Sequence, residues 1–208
     1  RKNWNYTPKE VKNEAIKSDM LDCLEALQSE VEKGNIRYFG LSNESAWGTS
    51  QWLRLSEDHN LPRVATIQNE YSLLCRLYDT DLAELSVLED VGLIAFSPLA
   101  AGLLTGKYQN CKIPDGSRKS INSDLGKRAT ERVWPAVEAY LKIANEHAID
   151  PIHMALAWCS TRSFLCSSIF GATNLKQLEH ILKAPNVTLG DDCLREISNA
   201  HKAHPMPF

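Results

Sequence analysis

No stretch of this chain approaches the roughly 20 consecutive apolar residues that a membrane-spanning helix requires, so no membrane span is expected. Positive charge is not in surplus either. Lys and Arg total 23 against 26 Asp and Glu, a formal net charge of -3, which argues against the broad basic surface that nucleic-acid binding demands. A small anionic ligand stays open. The six cysteines include no C-x-x-C pair, so neither a zinc cage nor a disulfide framework is indicated, and they read as reduced thiols of a cytoplasmic protein. The chain starts at Arg1 with no initiator Met and no apolar signal-like stretch, and the expectation is that something upstream is absent. Linkers and low-complexity segments are missing too, so residues 1–208 read as one domain, large enough to hide about 70% of its unfolded surface.

What the chain does have is alternation. Ser18 can cap a helix carrying Met20, Leu24, Leu27 and Val31 up to a Gly34 stop, and Ile36 to Leu41 then reads as a strand. A second helix carries Trp52 and Leu55 and ends by Pro62, followed by a strand over Val64 to Ile67. Asp79 and Thr80 open a third helix with Leu82, Leu85 and Leu88, and Leu93 to Phe96 forms the third strand. A long polar loop runs from there to Thr130, longer than a compact domain normally keeps without a use. Pro135 suits the first turn of a helix ending near His147, and Asp150-Pro151 reads as N-cap and first helical residue of another. Cys166 to Phe170 is the fourth strand, Asn174 opens a helix through Leu182, and Thr188 caps the last one. Short buried strands alternating with helices imply an α/β fold with a parallel sheet.

In such folds ligands collect at the carboxyl ends of the strands. Those ends carry Ser42-Asn43, Gln68-Asn69, Phe96-Ser97-Pro98-Leu99 and Gly171-Ala172-Thr173. Each taken alone reads as a helix cap. Together they offer amide and hydroxyl groups suited to a carboxamide such as that of nicotinamide, with Phe96 as a stacking face. In the long loop, Gly102 and Gly106 would let backbone N–H groups approach a phosphate, with Lys107 as point charge and Arg118 as planar donor. The alternative for Lys107 is a solvated surface lysine, because the G-x-x-x-G-K run lacks the spacing of a phosphate-binding P-loop. Gly171 allows a tight turn, and the helix start near Asn174 presents N–H groups to a second phosphate. His153 reads as structural. His59, His147 and His180 are not read as metal ligands, and the acidic run from Glu84 to Asp90 reads as a solvated helix face.

Four stretches, "IRYFGLSN", "TIQNEYSLL", "GLIAFSPLAAGLLTGKY" and "GATNLKQL", resemble in order and separation the aldo-keto reductases, in the branch holding the potassium-channel β subunits and many bacterial and plant reductases. The match covers nearly everything after about Asp19. The resemblance implies a (β/α)₈ TIM-type barrel that binds NADPH and reduces aldehydes or ketones. It implies that Ser42, Asn43 and Gln68 hold the nicotinamide carboxamide and that Phe96 stacks on the ring where many members have Tyr or Trp. Ser97, Leu99 and Gly102 would line the pyrophosphate, with Lys107 and Arg118 on phosphates. Gly171, Thr173 and Gln177 would surround the 2′-phosphate end. Ile181 stands where this branch usually places an asparagine for adenine.

The family's catalytic Asp, Tyr, Lys and His come from the first four strands, and none of those motifs is recognisable here. The chain therefore reads as the second half of a barrel, with a nucleotide site and without the acid. A half-barrel leaves strand edges unpaired, which predicts self-association or a partner that completes the sheet. Two functions follow from the resemblance. One is NADPH-dependent reduction of a small carbonyl substrate; the alternative is a non-catalytic NADP(H)-binding or redox-sensing subunit, or an inactive truncated product.

Overall fold

The computed structural model describes residues 12–208, which divide into two compact units. The first comprises the chain up to Asn69 together with Asp79–Ile94, the second Glu70–Tyr78 together with Ala95–Phe208. Parallel strands alternate with helices. Within the first unit lie β1 (Phe39–Ser42), β2 (Val64–Glu70) as far as Asn69 and the start of β3 (Gly92–Phe96); Glu70, the end of β3 and β4 (Leu165–Ile169) belong to the second. The strand order is β1-β2-β3-β4.

In the first unit, α1 (Asn13–Glu32) starts five residues before Ser18, at a Lys12 cap that makes no side-chain bond. Nothing between Asn13 and Ser18 breaks a helix, so helix propensity carries α1 past the nearest capping hydroxyl. Its other end is chemically fixed. Gly34, at φ +75°, gives its N–H to Val31 O at 2.9 Å and Asn35 gives its own to Glu30 O at 3.0 Å, a Schellman pair that needs the left-handed glycine. Met20 and Leu24 are buried, and α1 packs on α2 (Ala46–Asp58), which in turn packs on α3 (Asp81–Leu88).

The Ser45 hydroxyl caps α2 by accepting from Gly48 N at 3.1 Å, and Ser56 Oγ closes its far end on Pro62 O at 2.9 Å. That turn delivers the chain into β2, which pairs in parallel with β1 in the register Leu41↔Ile67 and Ser42↔Gln68. The register corrects one expectation: Gln68 and Asn69 lie within β2 rather than in a loop after it, because ladder hydrogen bonds hold polar residues in a strand as readily as apolar ones. β1 likewise begins at Phe39, not Ile36. On α3, Leu88 is 76% exposed, and the acidic residues after it lie in solvent with Glu89 paired to Arg63.

The second unit is built around α6 (Pro151–Ser160), whose residues Met154 to Cys159 are all buried. A helix apolar on every side belongs in the centre of its unit. Asp150 caps it as the sequence suggests, accepting from Ile152 N at 2.9 Å and His153 N at 3.2 Å. Trp158 stacks on Tyr71 at 5.2 Å, and Phe164 meets Tyr71 and Tyr78 to complete an aromatic cluster. α5 (Val133–Glu146) packs on α6 and on α8 (Asp191–Ala203), and Tyr140 donates its hydroxyl to Leu73 O at 3.0 Å. The cap of α8 is Gly190 rather than Thr188, with Asp191 and Asp192 favouring the first turn instead. α7 (Leu175–Ile181) is only seven residues long. Between β3 and α5 the chain forms short 3₁₀ turns and the four-residue α4 (Arg118–Ile121), so the long polar loop is ordered in pieces. Among the described residues, no helix is long and apolar enough to cross a membrane.

Candidate functional site: the strand ends and the glycine-lysine turn

The first unit contributes a polar cluster at the ends of β1 and β2. Asn43 leaves β1 at φ +54°, a left-handed conformation that asparagine tolerates better than most residues. Its N–H bonds to Gln68 O at 3.0 Å, and its Nδ2 donates to Ser42 Oγ at 3.3 Å. Both Ser42 and Gln68 are exposed, so the cluster faces solvent. Asn69 Nδ2 is held by Glu44 O at 3.0 Å. The structure thus brings together Ser42, Asn43 and Gln68, and adds Asn69, which sequence reasoning placed at the strand end without assigning it to the site. Among the described residues, Asn43 Oδ1 and Asn69 Oδ1 are buried with no hydrogen-bond donor. Unpaired buried acceptors cost free energy, and a ligand amide N–H₂ would satisfy them.

The second unit contributes the turn after β3. Phe96 is half-buried at the strand end, and its carbonyl accepts from Tyr71 N at 3.2 Å. Ser97, Ala100 and Ala101 all have positive φ (54°, 48° and 57°), a run of left-handed non-glycine residues that the surrounding structure must enforce. Pro98 is buried, and Ser97 O and Leu99 O accept from Ala100 N and Gly102 N at 2.8 and 2.9 Å. Gly102 follows at φ +93°. Thr105 Oγ1 donates to Gly102 O at 2.8 Å and accepts from Lys107 N at 3.3 Å, folding the chain back on itself. The Lys107 stem therefore lies over Gly102. A Cβ on that glycine would meet Lys107 Cε at 2.9 Å and Nζ at 3.1 Å.

The structure places a further cation near this turn. Lys107 Nζ lies 5.1 Å from the Tyr108 ring centre, and the second cation over that ring is Lys119, at 5.8 Å. Lys119 also sits 4.4 Å over Trp134, and its backbone N–H donates to Tyr108 Oη at 3.3 Å. Arg118, at the start of α4, is exposed. Sequence reasoning missed Lys119 because only the fold brings it to the Tyr108 ring; the aromatic directly after Lys107 was the one available signal.

After β4 the chemistry is local. Thr173 N and Oγ1 both donate to Gln177 Oε1, at 2.9 and 3.0 Å, and Asn174 Oδ1 accepts from Gln177 N at 2.9 Å. These bonds already use N–H groups that the sequence reading offered to a phosphate, and a helix this short has a weak dipole. Gly171 is not in a left-handed conformation, and a Cβ there would meet nothing within 4 Å. The turn therefore does not require a glycine. What the glycine leaves is open space. Ile181 is buried with Leu156 and Ala184, against Leu99 and Phe170, so it serves the core.

A match to the aldo/keto reductase family model spans residues 4–202. The chain belongs to the aldo/keto reductase family. Protein tas of Escherichia coli (strain K12) is 42% identical over 188 residues, which is 90% of this chain and 54% of that protein. An aldo-keto reductase of Babesia bovis is 34% identical, covering 86% of this chain and 66% of the relative. A probable voltage-gated potassium channel subunit beta of Arabidopsis thaliana is 30% identical, covering 80% and 52%. The chain spans about half the length of most of the curated relatives it matches. Four parallel strands alternating with helices are consistent with part of the (β/α)₈ reductase barrel.

Proposed function

We propose that this chain is the dinucleotide-holding portion of an NADP(H)-dependent reductase acting on a small aldehyde or ketone. The reading rests above all on the Lys107 ammonium folded back over Gly102, which puts a positive charge at the turn that follows β3. Such a turn suits a pyrophosphate through the lysine charge, since Gly102 N–H is already given to Leu99 O. Ser97 and Leu99 shape the same turn, and Lys119 adds a second charge beside Arg118.

Asn43, with Ser42 and Gln68, would receive the nicotinamide carboxamide, which satisfies the orphaned Asn43 Oδ1. Phe96 would support the ring face. Gly171, Thr173 and Gln177 would receive the 2′-phosphate end, with Gln177 Oε1 held by Thr173 so that its Nε2 turns the other way. When bound, the dihydronicotinamide supplies the hydride; this chain's residues bind and orient it. The proton donor for the carbonyl oxygen belongs to the family's Asp-Tyr-Lys-His set, which we assign to sequence outside this chain, and association with that part would also cover the strand edges.

A second reading, NADP(H) binding without turnover, is favoured by the similarity to a protein named as a potassium channel subunit beta. Titration of NADPH fluorescence separates both from an inactive product. Saturable binding that Lys107→Ala weakens by about 10- to 100-fold, or ~1.5–3 kcal/mol, supports the cofactor site. Aldehyde-dependent NADPH oxidation by the complete protein then favours the reductase over the subunit.

A further inference from the structure

Where α7 ends against the start of α6, in the second unit, three side chains meet that the reductase chemistry does not use. Asp150, His153 and His180 each place a ligand-type atom within 4.8 Å of the others. We propose that they form a three-ligand site for a borderline divalent cation of the zinc class.

The chemistry of the donor set points to zinc. Two imidazoles and one carboxylate suit a borderline cation, whereas magnesium and calcium demand an oxygen shell. The distances are already close to those of a bound ion. His180 Nε2 lies 3.0 Å from Asp150 Oδ2. Two ligands bound tetrahedrally to one zinc ion at about 2.0–2.1 Å stand about 3.3 Å apart, so replacing the shared proton by a metal opens this pair only slightly. His153 stacks on His180 with ring centres 4.6 Å apart, and with all three ligand-type atoms already within 4.8 Å of one another a small closing movement completes the shell.

The supporting contacts match what a metal site requires. His153 Nε2 bonds to His180 O at 2.7 Å. Donation to a backbone carbonyl fixes the ring tautomer and leaves Nδ1 with its lone pair, the arrangement by which ligating histidines are usually held. Asp150 spends its other oxygen, Oδ1, on the N-terminus of α6, so the carboxylate is oriented before any ion arrives. All three residues are half-buried, which leaves room for water as a fourth ligand. An ion there would clamp the last turn of α7 to the first turn of α6, and so steady the short helix that carries Gln177.

The test is zinc titration by calorimetry on the full chain with the exposed Cys23, Cys111 and Cys166 changed to serine, which removes competing thiolates. The expected result is one site per chain, a rise in melting temperature with zinc, and a tetrahedral cobalt(II) absorption band when cobalt replaces zinc. His180→Ala, His153→Ala and Asp150→Asn each weaken binding, on the order of 10- to 100-fold, and abolish the cobalt band. Asp150→Asn keeps the helix-cap acceptor, so its loss of binding cannot come from unfolding of α6. His147→Ala, which removes the separate His147–Glu196 pair, leaves binding unchanged. Equal zinc affinity in the parent and His180→Ala proteins, or a cobalt spectrum indifferent to His153 and His180, would overturn the assignment.

Discussion

Lys107 arches over Gly102 so closely that a methyl on the glycine would stand 2.9 Å from Lys107 Cε, and the lysine would have to move aside. The same glycine sits at φ +93°, which an L side chain adopts only under strain. Gly102→Ala is therefore expected to displace the lysine and to destabilise the turn by about 1–2 kcal/mol. Denaturant melts should register the stability loss. NADPH titration should show weakened binding even though Lys107 itself is unchanged, and normal affinity in a destabilised Gly102→Ala protein would separate the lysine from the cofactor.

A buried ion pair ties the end of β2 to the loop before α5. Arg128 Nε and Nη2 meet Glu70 Oε1 and Oε2, both at 2.7 Å, with the two side chains only 13% and 2% exposed. Removing one partner strands the other charge, so Arg128→Ala is expected to cost about 3–5 kcal/mol in urea unfolding. The double change Glu70→Gln with Arg128→Met should cost clearly less, since it leaves no uncompensated charge. A double variant no more stable than Arg128→Ala would mean that packing rather than charge pairing dominates there.

Alkali should unfold the protein by a defined route. Burial, reinforced by the nearby Glu70 charge, pushes the Cys75 thiol from 9.0 to about 12. Burial likewise pushes the Tyr140 hydroxyl from 10.0 to about 12, against the opposing effect of Arg76. Both groups stay protonated in the folded state after the unfolded chain has ionised, so the stability they confer is whole below pH 9 and declines as pH rises toward 12. The expected slope is ~1.4 kcal/mol per pH unit from Cys75 above 9, roughly doubling once tyrosine joins above 10. Urea unfolding at pH 8, 9.5 and 11 measures it. Cys75→Ala should flatten the first part of the decline, and an unaltered slope would contradict the assignment.

Where an element carries its own boundary chemistry, the sequence is enough to place it. Asp150-Pro151 and Asn174 open their helices as their side chains dictate, and Gly34 closes α1. Boundaries without such chemistry are not legible in this way: α1 starts at a Lys12 that makes no side-chain cap, and β2 carries Gln68 because a parallel partner pairs with it. The same division runs through the site. Lys107 announces itself by the glycines before it, whereas Lys119 joins it only through the folded Tyr108 ring. His180 looks unpartnered along the chain, yet Asp150 stands 3.0 Å away once α6 and α7 are folded.

The deciding contact is the one proposed between the Gly102–Lys107 turn and the bridging phosphates of the cofactor. Phosphorus NMR of NADPH resolves the pyrophosphate signals from the 2′-phosphate signal. On adding the protein, the pyrophosphate resonances are expected to shift and broaden, and to return most of the way to their free positions with Lys107→Ala at the same concentrations. Resonances that never move, or that move identically with Lys107→Ala, would contradict the assignment.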